Sequence, residues 1–493
     1  MVTRELHRAR FAKLHELFWL LSTSFRPQSV LLGVKRLFFI WRLPISVRPT
    51  RKRREIGNTL IVGPTRSGKG LLAVSQLLTW NHSIIVNDIK GELFTQTAGY
   101  RSTLGPVFVL DPTGVGHRYD PLQGKQTEDA LYSCSTHLLF QADERDQIFT
   151  QRAIGMLAAI FAAAKKENVA SLLYARTMLR AGLAGCVEKL NSISPELATL
   201  FLDTRYQDAN LTDRFLLSSW GTLTARMRPL LTETVIRSLS LSDFTPESLM
   251  VSPKPVTVYL RWKEQDLLAL SPLVRLLWGS LIDELVATYD HRNGKNCKPV
   301  LLLIDEAGRT AIPSLAEHAT TIVGRGMYLW LAVQSLSQLE VVYGKERAQV
   351  LRDNMESQVY YRPTDLQTAK YLEERCGRQS GYAHSEHERQ SGDTSTGLSE
   401  QGIPLLTAQD FLQFRDHHII GFHRNLPPFM LHRMDWRKHD TLKKRRALPV
   451  PTLPLLSPLP DIVQGTETSV PYEYIDPDEA IRPMSVPEAF PIL

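Results

Sequence analysis

The chain has 493 residues, of which 43% are hydrophobic and 22% are charged. This length is too great for one ordinary core and this composition is globular, so a disordered chain is excluded and two or three domains are expected. The formal net charge of +7 permits contact with nucleic acid or anionic lipid but establishes neither.

The N-terminal segment is basic and rich in apolar residues. Apolar side chains recur at helical spacing over residues 14–21, and a second apolar run, 30–41, is interrupted by Lys35 and Arg36. Neither run reaches the roughly 20 apolar residues that cross a bilayer. Apolar faces edged by basic residues, followed by the basic run 51–54, predict helices that lie on an anionic membrane surface. The alternative is a pair of helices packed on the body of the protein.

The pattern changes after residue 57. A short apolar strand is predicted at 59–62, followed by a glycine-rich turn and a helix that begins near Lys69. Further strands are predicted at 83–87 and 107–110, each ending on an aspartate. Short apolar runs that alternate with helices are typical of a parallel α/β sheet.

Residues 126–249 differ from the segments around them. They are rich in Ala and Leu at helical spacing and contain few strand-like runs, which predicts an all-helical insertion. Apolar runs follow at positions that complete the sheet from the other side of the insertion; they are 256–260, 300–304, 328–333 and a strand from residue 359.

The last part of the sequence contains three different patterns. Residues 379–402 hold Ser, Gly, His and Glu with few apolar side chains and are predicted to form a mobile loop. A strand pair is predicted at 418–423 and 429–434. Beyond a basic run at 443–446, the chain becomes rich in proline and then acidic, which predicts an extended or disordered tail.

These patterns predict an α/β fold with five segments. The segments are 1–55, basic and membrane-proximal; 56–125, the first part of a nucleotide-binding domain; 126–249, an all-α domain; 250–440, the second part of the nucleotide-binding domain; and 441–493, the proline-rich tail.

The turn between the strand at 59–62 and the following helix carries the strongest chemical signal. It matches the phosphate-loop pattern G-x-x-x-x-G-K-[ST] except at its last position, and it consists of Gly63, Pro64, Thr65, Arg66, Ser67, Gly68, Lys69 and Gly70. Such a loop points backbone N–H groups at phosphate oxygens, and its lysine reaches the β- and γ-phosphates. The pattern predicts binding of ATP. Gly70 replaces the hydroxyl residue that normally ligates Mg²⁺.

A buried strand that ends in acidic residues supplies the second half of a nucleotide site. Asp305 follows the run 300–304 and is predicted to hold Mg²⁺, while Glu306 polarises the attacking water as general base. Gln334 follows the next strand and is placed to sense the γ-phosphate or the water. Arg309 and Arg325 are candidates for an arginine finger that reaches the site of a neighbouring subunit.

Several strings together resemble the TraG/TraD-like family of type IV secretion coupling proteins. They are GPTRSGKG, IIVNDIKGELFTQTAGYR, KPVTVYLR, VLLLIDEAGR and LAVQSLSQLEVVYGKE, in the family's order between residues 58 and 401. The coupling-protein loop often has glycine at the position of Gly70. The chain departs from the family in its N-terminal region, which lacks two clean transmembrane helices.

The resemblance implies a RecA-like P-loop ATPase domain with an all-α domain, assembled as a hexamer around a channel. It also implies partners: relaxase-bound DNA, expected as single strands held through their phosphates, or effector proteins, which are passed to a type IV secretion channel. The location it implies is the cytoplasmic side of the bacterial inner membrane.

Two alternatives remain open from the sequence. One is a soluble hexameric ATPase that pumps DNA during plasmid or chromosome partition, which the weak N-terminal membrane signal favours. The other is a docking platform that binds ATP and hydrolyses little of it, which Gly70 favours.

Overall fold

A computed structural model describes residues 8–37, 41–50, 54–139, 147–309, 312, 314–388 and 394–456. The strands within these residues are β1 (Val30–Leu37), β2 (Trp41–Val47), β3 (Thr59–Val62), β4 (Ser83–Asp88), β5 (Val107–Leu110), β6 (Thr257–Arg261), β7 (Val300–Ile304), β8 (Met327–Val333), β9 (Ser357–Tyr360), β10 (Arg378–Glu388), β11 (Thr394–Pro404), β12 (His418–His423) and β13 (Phe429–His432).

The helices are α1 (Lys69–Leu77), α2 (Glu92–Leu104), α3 (Glu128–Leu139), α4 (Gln147–Lys166), α5 (Ser171–Arg180), α6 (Gly182–Ile193), α7 (Pro195–Leu202), α8 (Arg214–Met227), α9 (Glu233–Leu239), α10 (Ser248–Val251), α11 (Leu267–His291), α12 (Leu315–Thr321), α13 (Leu336–Tyr343), α14 (Lys345–Asp353), α15 (Leu366–Cys376), α16 (Ala408–Leu412) and α17 (Asp440–Arg446). Short 3-10 helices occur at Tyr206–Asp208, Arg228–Leu231, Glu264–Asp266, Val323–Arg325 and Trp436–Lys438.

The chain divides into two compact units. Unit 1 consists of Met1–Asn81, Leu301–Arg309 and Leu315–Leu448, and unit 2 consists of His82–Val300, Thr310–Ser314 and Pro449–Leu493. Unit 2 therefore holds β4, β5 and β6 together with the helical insertion. The division predicted from the sequence had placed those strands with the rest of the sheet.

The sheet of unit 1 has the strand order β2-β1-β13-β12-β9-β3-β8-β7. One interior strand, β3, is fully buried and pairs in parallel with β8 on one side and β9 on the other. Burial on both faces explains why these strands are near-continuous apolar runs without alternation. β12 is antiparallel to β9, and β13 is antiparallel to β12. The carboxyl ends of β3, β8, β9 and β13 therefore lie along one edge, which we call the loop edge.

The predicted N-terminal helices are absent from residues 8–37 and 41–50, so that prediction is wrong for these residues. Residues 14–20 form turns, and β1 and β2 are an antiparallel pair that joins the sheet at β13. Helix α1 fixes β1 in place, since the Gln76 side chain accepts a hydrogen bond from Leu31 N at 2.7 Å and donates one to Ser29 O at 3.0 Å. A Cβ on Gly33 would lie 2.9 Å from Ile419 Cδ1, so glycine allows β1 to lie close to the Ile419 side chain. Pro44 is tolerated because β2 is the edge strand.

Unit 2 contains a parallel sheet in the order β4-β6-β5. Helices α3 to α10 lie between β5 and β6 in sequence, as the predicted all-helical insertion requires. Among the described residues, α4 alone has the length and mean hydropathy (1.3) of a helix that crosses a bilayer, and 61% of its most apolar window is buried. A core helix meets the same two criteria, and α4 packs against α3, α5, α7 and α8.

Two predictions for the last third of the chain are also corrected. The predicted mobile loop at 379–402 contains most of β10 and β11, which pair from Arg378↔Pro404 to Glu388↔Thr394. Backbone pairing needs no apolar side chains, so the polar composition concealed it. The predicted tail begins with α17, of which it contains all but Asp440, and Leu455 then pairs with Val115 in unit 2. The rest of the tail, 457–493, and residues 51–53 of the basic run lie outside the described residues.

Candidate functional site

The predicted phosphate loop leaves the sheet at the loop edge. Gly63 N donates to Val333 O at 3.1 Å, so the loop begins against the end of β8. Gly68 precedes α1 with a φ of 114°, a left-handed backbone conformation that glycine adopts without strain. Arg66 also has a positive φ, of 62°. The backbone turns sharply twice within the loop, and α1 begins at Lys69 as predicted.

Tyr361, which follows β9, packs on this loop and was missed by the sequence reasoning. A Cβ on Gly63 would lie 2.7 Å from Tyr361 Cβ, so only glycine fits there. The Tyr361 hydroxyl donates to Gly68 O at 3.4 Å, and the ring is 2% exposed. Burial raises the pKa of this phenol, which keeps its proton for that donation. The sequence feature that could have indicated Tyr361 is its position directly after the predicted strand that starts at residue 359.

The loop has the groups that a bound phosphate requires. The Lys69 side chain is buried, and its Nζ donates to Gly63 O and, at 2.9 Å, to Pro64 O. Ser67 Oγ is buried and has no hydrogen-bond partner among the described residues. A cationic amine, an unpartnered hydroxyl and a helix N-terminus at one turn fit a phosphate group. Gly70 is exposed, and a Cβ there would meet nothing within 4 Å.

The acidic pair follows β7, which neighbours β8 and is buried throughout. Asp305 Oδ1 accepts from Glu306 N at 3.1 Å, and Ala307 N donates to Ala332 O at 3.0 Å. Glu306 has a φ of 56°, which is uncommon for a residue with a side chain. Its Oε2 lies 3.0 Å from Arg309 Nε, and its side chain is 16% exposed. The structure therefore pairs Arg309 with the predicted general base of its own chain.

A second glutamine, Gln338, joins the predicted sensor to the segment after the acidic pair. Gln334 N donates to Gln338 Oε1 at 3.0 Å, while the Ser335 hydroxyl caps α13 by accepting from Gln338 N at 3.2 Å. A Cβ on Gly308 would lie 2.1 Å from Gln338 Cδ, so the Gln338 amide occupies the space beside Gly308. Sequence reasoning missed Gln338 because nothing in the pattern relates it to Gly308.

The predicted site residues fall into two groups. The loop 63–70 and Gln334 follow the paired ends of β3 and β8, at Val62↔Val333, and the acidic pair follows the next strand, β7. Arg325 lies in the 3-10 helix Val323–Arg325, before the amino end of β8. That end is seven residues from Gln334, about 20 Å along a strand. The structure therefore does not bring Arg325 to the loop edge of its own chain.

Comparison with known proteins gives a family match over most of the chain. Residues 51–454 match the profile of the family described as type IV secretory system conjugative DNA transfer. Protein VirD4 of Rhizobium radiobacter is 27% identical over 438 residues, which cover 82% of this chain and 60% of that protein. The chain therefore spans about three fifths of the length of this curated relative.

Solved structures with the same fold are forms of the bacterial conjugative coupling protein TrwB. The unbound form of TrwBdeltaN70 has a TM-score of 0.66 at 17% identity, covering 87% of this chain and 94% of that one. TrwB in complex with ADP and Mg²⁺ has a TM-score of 0.65 at 16% identity, covering 92% and 97%. The predicted fold class, an α/β P-loop domain with an inserted helical domain, is confirmed.

Proposed function

The chain belongs to the type IV secretory system conjugative DNA transfer family, and we propose that it is an ATP-hydrolysing coupling protein. In this proposal it recruits relaxase-bound DNA or effector proteins and delivers them to a type IV secretion channel. The observation that carries the proposal is the order of strands at the loop edge. The loop 63–70, Gln334 and the acidic pair Asp305-Glu306 follow three neighbouring strands, which is the arrangement that phosphoryl transfer needs.

The residues of the loop edge have distinct roles in this proposal. Backbone N–H groups of the loop and the Lys69 amine bind the phosphates, with Ser67 Oγ as a further donor. Asp305 holds Mg²⁺, which would neutralise charge that develops on the phosphates. Glu306 accepts a proton from the attacking water. Gln334 orients that water, and its backbone is itself fixed by Gln338.

Gly70 contributes no side chain to the metal. Mg²⁺ sheds its waters reluctantly and usually keeps several, so a water can take the position that a hydroxyl fills in other P-loops. The residues of the loop therefore fit ATP with Mg²⁺, and the TrwB complex with ADP and Mg²⁺ supports this choice of nucleotide and metal.

We further propose a homohexamer in which Arg325 acts on the site of the neighbouring subunit. Arg325 lies away from the loop edge of its own chain, so only an assembly can bring it to a phosphate. DNA is held through its phosphates, as single strands, with little sequence preference. The formal net charge of +7 supports such a partner.

We also propose that the protein works at the cytoplasmic side of the bacterial inner membrane. The support is the basic composition of residues 1–55, because clusters of Lys and Arg are attracted to anionic lipid surfaces. The β1–β2 pair replaces the expected amphipathic helices as the structural element of that segment.

The experiment that tests the proposed function is ATP hydrolysis by the purified full-length protein with and without single-stranded DNA. We expect Mg-dependent hydrolysis that DNA stimulates, and a DNA affinity that falls steeply as salt rises. If the protein binds ATP but does not hydrolyse it, with or without DNA, the result would support the alternative that Gly70 favours, a docking platform. Stimulated hydrolysis by a protein found wholly in the soluble fraction of its native cell would instead support the partition pump.

A further inference from the structure

A small basic pocket lies in unit 1 beside the phosphate loop, at the end of β13. Its volume is about 50 Å³, and its wall includes Arg36, Arg42, Arg433 and Lys438 with the rings of His417 and His432. Since one water needs about 10–15 Å³ of such space, the pocket holds a few waters or one tetrahedral oxyanion. It does not hold a nucleotide.

Two of its arginines face each other across the β1–β2 pair. Arg36 and Arg42 are direct partners in the register of the two strands. Like charges directly opposite each other destabilise a sheet, and an anion between them removes that repulsion. This register position therefore brings two positive charges to one side of the pocket.

The other charged side chains of the pocket add to its excess of positive charge. Asp435 is its one acidic side chain, and both of its oxygens are engaged by Arg437, at 2.8 and 3.1 Å. By contrast, the side chains of Arg36, Arg42, Arg433 and Lys438 make no hydrogen bond or ion pair within the part of the chain that the structure describes. Four cationic groups thus surround a space whose only carboxylate is already neutralised.

Three histidines at the same place raise the question of a metal. Ring nitrogens of His417, His418 and His432 lie within 4.8 Å of one another, as metal ligands do. Burial, with the nearby charge of Arg36, lowers the pKa of His432 to about 4 and also lowers that of His417. The positive surroundings that keep these rings neutral also repel a divalent cation. A neutral imidazole still has one N–H to donate to an oxyanion, and His432 Nδ1 is buried without a partner.

Arg433 connects the pocket with the phosphate loop. A Cβ on Gly68 would lie 3.3 Å from Arg433 Cδ, so the stem of Arg433 runs along the loop on its way to the pocket. We propose that this pocket is a second phosphate site, which takes a small phosphate dianion: inorganic phosphate or a phosphomonoester. A DNA backbone suits it less well, because phosphodiesters carry one charge each and are bound along extended grooves.

The test is calorimetric titration of inorganic phosphate into the full-length Lys69→Ala protein. That background removes the main phosphate ligand of the P-loop, so the result does not depend on whether the proposed ATP site is correct. We expect one phosphate per chain, and an affinity about tenfold lower after Arg36→Gln or Arg433→Gln, as for loss of one charge-assisted hydrogen bond. A parallel titration with a phosphomonoester shows whether the pocket prefers inorganic phosphate or a phosphomonoester.

The matched control is Lys189→Gln, which removes one positive charge from an exposed position of α6 in unit 2, where Lys189 pairs with Glu167. It should leave the phosphate affinity unchanged. Arg36 and Arg42 are exposed, so Arg42→Gln offers a second variant whose folding is not at risk, and circular dichroism confirms folding in each case.

Three results would overturn the proposal. The first is an equal affinity for phosphate in the Arg36→Gln and Lys189→Gln variants. The second is a DNA strand without a terminal phosphate that binds more tightly than phosphate and depends on the same arginines. The third is Zn²⁺ that binds once per chain and is lost in His432→Ala while phosphate does not bind, which would make the histidines a metal site.

Discussion

Arg309 Nε lies 3.0 Å from Oε2 of Glu306 in the same chain. The backbone of Glu306 is in the left-handed region, at a φ of 56°, and such conformations cost on the order of 1 kcal/mol or more for residues other than glycine. The ion pair and the hydrogen bond from Glu306 N to Asp305 Oδ1 at 3.1 Å both hold the strained residue. Arg309 is therefore a positioning residue for the proposed general base.

Removal of that ion pair should slow turnover without weakening ATP binding. We expect Arg309→Gln to lower kcat roughly tenfold, because the carboxylate loses its fixed orientation, and to leave KM nearly unchanged. Arg309→Lys should recover part of the rate. The control is Arg347→Gln. Arg347 forms an ion pair with Glu317, and both side chains are largely exposed. Steady-state kinetics that show a raised KM and an unchanged kcat would mean that Arg309 acts on binding instead.

Glu306→Gln keeps the shape of the side chain and removes its basicity. We expect ATP to bind normally and kcat to fall by about 10²–10⁴-fold. Glu346→Gln, an exposed change in the first turn of α14, is the matched control. Single-turnover measurements separate chemistry from product release. A wild-type rate of the chemical step in Glu306→Gln would mean that another residue accepts the proton from the attacking water.

Gly70→Ser should be tolerated by the fold, because a Cβ at residue 70 meets nothing within 4 Å. The new hydroxyl can replace a water on Mg²⁺, so we expect the Mg²⁺ concentration for half-maximal ATPase rate to fall modestly or stay the same. Titration of Mg²⁺ against rate for both proteins measures this. Activity that appears only in the Gly70→Ser protein would contradict the proposed ATP-hydrolysing coupling protein and support the docking platform.

Gly308→Ala tests the contact that joins Gly308 to Gln338. The added methyl would lie 2.1 Å from Gln338 Cδ, so Gln338 must move and release Gln334 N. We expect a loss of about 1–3 kcal/mol in the free energy of unfolding, typical of overpacking, together with a lower kcat. Gly221→Ala, where a Cβ meets nothing within 4 Å, is the control. Equal melting temperatures and rates in both variants would show that Gln338 is free to move.

Strand bounds were predicted most accurately where a strand consists of a single short apolar run. The bounds of β3, β5 and β7 were predicted without error, since buried parallel strands are short apolar runs that end on turn or acidic residues. The turn after β3 and the start of α1 at Lys69 were predicted from the same pattern.

The errors arose where tertiary contacts decide the structure. The apolar run from Val30, edged by basic residues, was predicted to be helical, yet it forms β1 because Gln76 and the neighbouring strand β13 satisfy its backbone. Tyr361 and Gln338 were missed for a similar reason. Each acts on a glycine far away in sequence, Gly63 and Gly308 respectively, and local patterns contain no information about such pairs.

The central claim is that the loop 63–70 binds the nucleotide that the protein hydrolyses, and Lys69 tests it most directly. The measurement is ATP turnover and ATP binding by Lys69→Ala, beside wild type and an exposed control, Lys345→Ala, with the fold of each checked by circular dichroism. The account predicts that the folded Lys69→Ala protein loses turnover, while Lys345→Ala matches wild type. ATP hydrolysis at the wild-type rate by a folded Lys69→Ala protein would contradict it.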